Sequence, residues 1–182
     1  MFIGQSYRLD DSNNPFPVGS GLDAQESDVV GQISTLYDDK YSLNYRFQLS
    51  SRNLTSERHE VDAFANWRKF LLSSRYLFAK GLEGTDISNS REQISGTAAY
   101  YVAEDWRIHA GATQDLGAQS GLRKAYLGLD YYGQCVSFAL TGQRNYTDDA
   151  SGDSDTEILF RIGLKNIGEF SASGLRPEGT TE

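Results

Sequence analysis

Apolar and polar residues alternate with a period of two along most of the chain, which is the signature of β-strands with two unlike faces. Ten such runs are present: residues 2–9, 29–37, 41–50, 59–67, 70–80, 91–102, 106–114, 122–131, 135–146 and 156–168. The run 41–50 is the clearest. Tyr41, Leu43, Tyr45, Phe47 and Leu49 take one parity, and Ser42, Asn44, Arg46, Gln48 and Ser50 take the other. Run 156–168 sets Ile158, Phe160, Ile162 and Leu164 against Leu159, Arg161, Gly163 and Lys165. The first run is less regular, and 29–37 mixes parities at Val29, Ile33 and Leu36.

The connections alternate as well. Short turns fall at Asp38-Asp39-Lys40, Arg68-Lys69, Ala103-Glu104-Asp105 and Tyr132-Gly133-Gln134, and longer polar loops at 10–28, 51–58, 81–90, 115–121 and 147–155. Short turns at one end and long loops at the other are the plan of an up-and-down transmembrane β-barrel. Most runs match the roughly 9–11 residues a tilted strand needs to cross a bilayer. The expected fold is therefore all-β, with about ten antiparallel up-and-down transmembrane β-strands. It occupies 1–170, followed by a short polar tail at 171–182.

One parity repeatedly carries charge: Arg46, Asp62, Arg75, Arg107, Lys124, Asp130, Arg161 and Lys165. In a large barrel that face lines a wet lumen while the apolar face meets lipid; in a soluble sandwich it is the outside. Trp67, Trp106, Tyr41 and Tyr131 stand beside short turns, where an aromatic girdle lies in barrels of this kind.

Composition fits a sheet wet on one side. Hydrophobic residues make up 38% of the 182, with 11 Tyr and 18 Gly. The net charge of −8, without a cluster of Lys and Arg, argues against a nucleic-acid partner. The acids gather in the first long loop (Asp10, Asp11, Asp23, Glu26, Asp28) and the last (Asp148, Asp149, Asp153, Asp155, Glu157). Solvation of the loops accounts for them, and divalent-cation binding near a charged lipid surface is the sharper alternative. No run approaches the roughly 20 apolar residues of a membrane helix. Met1-Phe2-Ile3-Gly4 already reads as strand and not as a signal peptide, as expected of a mature or truncated exported chain.

Catalytic signatures are missing. There is no G-x-S-x-G, H-E-x-x-H, P-loop or C-x-x-C. His59 and its neighbour Glu60 take opposite faces, His109 stands alone on the polar parity, and both histidines read as solvated strand residues. No enzyme, cofactor or metal is expected. The single cysteine, Cys135, sits at the mouth of a short turn. It is either a small buried hydrophobe or, in an oxidising compartment, a thiol whose partner lies outside this chain.

Several stretches resemble the LptD family of outer-membrane lipopolysaccharide-assembly proteins, also called organic solvent tolerance proteins. They are Gly4-Gln5-Ser6-Tyr7-Arg8, Pro15-Phe16-Pro17 with Gly19-Ser20-Gly21-Leu22-Asp23, Ser27-Asp28-Val29-Val30-Gly31, Asp130-Tyr131-Tyr132-Gly133-Gln134-Cys135 and Arg161-Ile162-Gly163-Leu164-Lys165-Asn166-Ile167-Gly168. The resemblance covers about 2–170, and its order looks like the C-terminal part of the family's barrel.

It implies insertion of lipopolysaccharide into the outer leaflet of a Gram-negative outer membrane. The implied partners are lipopolysaccharide, outer-membrane lipid, an LptE-like lipoprotein plug, a periplasmic jellyroll and the remaining strands of a barrel of about 26. Cys135 matches the barrel cysteine that forms a disulfide to the jellyroll. Arg46, Arg75, Arg107, Lys124, Arg161 and Lys165 would line the lumen and meet phosphates of the ligand. Strand 156–168, with Ile158, Phe160, Ile162 and Leu164, would be the last strand and one lip of the lateral gate. By that resemblance the chain is a β-barrel segment, a partial barrel with an open sheet, and is expected to be a fragment that transports nothing alone, because an open sheet edge has no hydrogen-bond partners in lipid. Two other readings stand beside this one: a complete small ten-stranded outer-membrane barrel of adhesin or protease type, and a soluble β-sandwich binding module.

Overall fold

A computed structural model describes residues 1–9, 15–81, 89–117, 120–146 and 154–165, and the backbone of 168–173. It contains eleven strands: β1 (Phe2–Gly4), β2 (Val29–Tyr37), β3 (Tyr41–Leu49), β4 (Ser56–Trp67), β5 (Phe70–Ala79), β6 (Arg91–Tyr101), β7 (Trp106–Asp115), β8 (Gly121–Tyr132), β9 (Val136–Tyr146), β10 (Ser154–Leu164) and β11 (Gly168–Ser173). Each strand pairs with its sequence neighbours, giving one open sheet in the order β1 to β11. The described residues contain no helix. This is the all-β, antiparallel, up-and-down architecture expected of a partial barrel.

The two ends depart from expectation. Residues 2–9 do not form one strand. The β1–β2 ladder pairs Gly4 with Val30, and Tyr7 next pairs with Glu26, one residue out of register. Side chains cause the break. Ser27 Oγ accepts the Ser6 amide (2.8 Å) and Gln5 Nε2 donates to the Ser27 carbonyl (3.0 Å), so polar side chains replace ladder partners. At the other end, run 156–168 is divided. β10 stops at Leu164, and Leu164 pairs with Gly168 as β11 begins. β10 is thus bonded on both sides, to β9 and β11, and is not an edge strand of this sheet. β11 continues to Ser173, past the expected start of the tail at 171.

The turn at 38–40 is built as its residues require. Asp38 (φ 51°) and Asp39 (φ 49°) both adopt positive φ, and Lys40 N donates to the Tyr37 carbonyl (3.1 Å). Two central residues in that region make a type I′ turn, whose twist matches the flanking strands. Aspartate tolerates the conformation better than most residues.

The chain divides into two compact units. The first comprises Met1–Phe64, Ser74–Ile94 and Asp115–Ser120; the second comprises Ala65–Ser73, Ser95–Gln114 and Gly121–Glu182. Each has two unlike faces. In the first unit the β2–β3 register aligns Val29 with Leu49, Ile33 with Tyr45 and Tyr37 with Tyr41 on the apolar face. Gln32 opposite Arg46 and Ser34 opposite Asn44 lie on the polar face. This register resolves the mixed parity of β2: Val30 and Leu36 fall on the polar side, opposite Gln48 and Ser42.

In the second unit the apolar rows run Leu129–Leu140–Phe160 and Tyr131–Phe138–Ile162 across β8, β9 and β10. The polar rows run Lys124–Asn145–Asp155 and Asp130–Ala139–Arg161. No second layer covers these apolar rows among the described residues. Leu127 is 62% exposed, Leu140, Ile158 and Phe160 are also exposed, and Ala99 is the one buried hydrophobic residue described. A soluble sandwich buries one face of its sheets, and these faces are not buried.

Candidate functional site

The polar face holds its charges in pairs. In the first unit Arg46 on β3 reaches Glu60 (2.7 Å) and Asp62 (2.8 Å) on β4, and Arg75 on β5 donates to the same Asp62. The result is an ion ladder across three strands, joined by Arg58 to Glu60. Sequence parity and structure both put Arg46 and Arg75 on the polar face of the sheet, and the reading of the sequence left their partners open. It did not foresee that both share one carboxylate, or that Glu60 contributes.

In the second unit the centre of the polar face is Asp130, only 3% exposed. One oxygen, Oδ2, accepts from Arg107 Nε (2.8 Å) and Nη2 (2.7 Å), and His109 Nδ1 lies 2.9 Å from the same atom. Residues 107 and 109 are two apart on β7, so they share a face and stand side by side against β8. The reading of His109 as a solvated residue is corrected here: it is part of a buried ionic cluster. The imidazole also lies across Gly128, where a Cβ would fall 2.4 Å from Nε2 and 2.8 Å from Thr141 Oγ1. Glycine is needed at 128 for that close approach. Tyr126 lies across Gly111 in the same way, and its hydroxyl is 2.9 Å from Thr97 Oγ1.

The other expected cations are placed less tightly. Lys124 Nζ lies 6.0 Å from the centre of the Tyr126 ring, and Arg161 shares the row of Ala139 and Asp130. Lys165 lies in the turn after β10, where its amide donates to the Cys135 carbonyl (3.0 Å). Cys135 is a free, exposed thiol in the turn between β8 and β9.

On the apolar face aromatic rings collect beside the short turns. Tyr37 and Tyr41 lie 6.3 Å apart in the first unit. In the second, Phe70 and Tyr100 lie 4.6 Å apart, and Trp106 lies 5.0 Å from Tyr131 and 5.4 Å from Phe138. His59 also faces this side. It stacks on Tyr45, with Nδ1 2.7 Å from the phenol oxygen, while Glu60 faces the ion ladder. The opposite-face prediction for this pair therefore holds, and the prediction that His59 is merely solvated does not.

Of the loop acids, Asp10, Asp11, Asp148, Asp149 and Asp153 lie outside the described residues. Asp28 accepts from Gln48 Nε2 (2.8 Å) and the Ser51 amide (3.2 Å), and Glu157 accepts from Gln143. Among the described residues no group of three acids, histidines or cysteines is placed to hold a metal ion.

An open antiparallel sheet with one exposed apolar face, one ion-paired polar face and aromatic residues at its short turns defines a protein of the β-barrel class. The family is given by its sequence: residues 1–106 match the model of LptD, LPS transport system D, and the chain belongs to that family. The family serves lipopolysaccharide transport and assembly at the outer membrane and is not an enzyme family. No curated protein matches the chain.

Proposed function

We propose that the chain is a stretch of wall in an outer-membrane lipopolysaccharide translocon, lying toward the C-terminal end of its barrel. The observation that carries this reading is the contrast of faces within each unit. Leu127, Leu140, Ile158 and Phe160 are exposed on one side, and Arg107, His109 and Asp130 are clustered on the other. Exposing such apolar rows to water forfeits about 25 cal/mol for each Å² of apolar surface, whereas against lipid they cost nothing. The polar face then borders the aqueous lumen through which a sugar head group passes.

Arg46, Arg75, Arg107, Lys124, Arg161 and Lys165 are the candidates to meet phosphate there. Because Arg46, Arg75 and Arg107 already have carboxylate partners, a phosphate would have to share or displace an acid. Lys124 and Lys165, which pair with no carboxylate among the described residues, are the better candidates on that ground. Cys135 is the residue we assign to a disulfide with a cysteine of a periplasmic jellyroll, a reading supported by its exposure at the short-turn end. The gate lip is assigned to the β10–β11 hairpin, with β11 outermost and Ile158, Phe160, Ile162 and Leu164 one strand inward. An LptE-like plug and the remaining strands complete the barrel, so this stretch is not expected to transport alone.

Cysteine scanning in the full-length protein tests the assignment of faces. Cysteines placed at Leu127, Leu140, Ile158 and Phe160 should resist a water-soluble maleimide in intact membranes, while those at Lys124 and Arg161 should react. Equal labelling of both parities refutes the reading. Charge reversal at Lys124, Arg161 and Lys165 together tests the ligand contacts, and unchanged surface lipopolysaccharide would remove them.

A further inference from the structure

A second polar site lies in the first unit, away from the ion ladder. The segment Pro15–Asp28 and the loop 50–55 enclose a cavity of about 300 Å³. Hydrogen bonds tie its walls together. Asp28, 9% exposed, takes Gln48 Nε2 on one oxygen and the Ser51 amide on the other, while its own amide donates to the Gly21 carbonyl (2.8 Å). One buried carboxylate thus ties both loops to β3. The facing loop closes on itself: Leu54 N reaches the Ser50 carbonyl (2.9 Å), and Ser50 N the Thr55 carbonyl (2.9 Å).

The lining decides the class of ligand. Three carboxylates (Asp23, Asp28, Glu57) face two cations (Arg52, Lys80), so the cavity carries a net charge of about −1 and disfavours phosphate. The acids do not converge as metal ligands. Donors and acceptors are interleaved, with hydroxyls of Ser50 and Thr55 and the Asn53 amide among the carboxylates. That mixture suits hydroxyl groups, each of which donates once and accepts. Glu57 offers a specific acceptor. Its side chain is 16% exposed, Lys80 Nζ binds Oε1 (2.8 Å), Thr55 gives its hydroxyl proton to Asn53 Oδ1 (2.7 Å), and Oε2 has no partner among the described residues. Gly19 and Ala24 add little bulk to the lining, and Val18 adds an apolar patch for ring C–H groups. The volume is at the lower end for small-molecule sites.

We propose that this cavity binds one neutral, hydroxyl-rich sugar unit, with Glu57 as its principal acceptor. That the physiological sugar belongs to lipopolysaccharide rests on the translocon reading; the chemistry of the cavity does not.

Saturation-transfer NMR of the full chain in detergent micelles, with D-glucose and inorganic phosphate as probes, tests it. The expected result is transfer to glucose ring protons at millimolar concentration, at least fivefold weaker in Glu57→Gln and Glu57→Ala, and no broadening of the phosphate line. Absent transfer to glucose, equal transfer in both Glu57 variants, or preferential phosphate broadening overturns the proposal. If the Glu57 variants lose their β-sheet circular dichroism, Ser50→Ala and Thr55→Val replace them, and each should weaken transfer about threefold. No change in either overturns it too. Failure here leaves the maleimide pattern of the two sheet faces untouched, so the two proposals fall separately.

Discussion

Replacing Asp130 with alanine removes the oxygen on which three nitrogen donors converge, within 2.7–2.9 Å. Arg107 is then left charged against a sheet surface with its side chain 27% exposed. Stranding one partner of a buried ion pair costs about 3–5 kcal/mol. Part of that is recovered here, because a guanidinium with this exposure draws in water, so the expected loss is about 3 kcal/mol. Asp130→Asn keeps an acceptor but not the charge, and should lose about 1–2 kcal/mol. Urea unfolding of the refolded chain in micelles measures both. With a slope near 2 kcal/mol/M, Asp130→Ala should lower the midpoint by about 1.5 M. Trp106, packed on Tyr131 across the sheet from this cluster, supplies the fluorescence signal. A double-mutant cycle with Arg107→Gln should return a coupling of at least about 1 kcal/mol. An Asp130→Ala midpoint within about 0.25 M of the parent, or additive single variants, would show that the cluster contributes nothing and that Asp130 is not its centre.

Gly128→Ala should destabilise by about 1–3 kcal/mol, because the new methyl meets His109 and Thr141, whereas Gly142→Ala, with its nearest neighbour a backbone oxygen at 4.0 Å, should be within about 1 kcal/mol of the parent by the same denaturation assay. Asp62→Ala should cost only about 1 kcal/mol despite touching two arginines, since Arg46 and Arg75 are 46% and 64% exposed, and the effect should shrink in high salt. Asp28→Ala should free the segment 15–27 from β3, read as accelerated amide exchange at Ser27 and Ser51 with protection of β8–β9 unchanged. Cys135 should react with maleimide in the chain alone at the rate of an exposed thiol, and a slow reaction would contradict its placement in the turn.

Most strands were legible because each has one face that must be dry and one that must be wet, and a period of two records that demand directly. Residues 29–37 match β2 to the residue, even though Val30 and Leu36 blur its pattern. Two features escaped for separate reasons. At β1, side chains of Gln5 and Ser27 compete with the ladder, which alternation does not register. At the C-terminal end, the break between Leu164 and Gly168 falls inside a run whose apolar rhythm barely falters. The site was half legible. Parity put Arg107, His109 and Asp130 on one face, but register decides which acid opposes which base, and register is a property of two strands at once. That is why His109 read as solitary and the pairing of Glu60 with Arg46 was not foreseen, and why the cavity beside Asp28, built by segments from separate parts of the chain, left no pattern to find.

Neighbour-only strand pairing also makes this sheet modular. Each hairpin closes a loop of at most a few dozen residues, so its entropic cost is small and independent of how many other strands exist. A hairpin duplicated or deleted within such a sheet shifts no other pairing. The same arithmetic lets an engineer widen or narrow such a sheet two strands at a time.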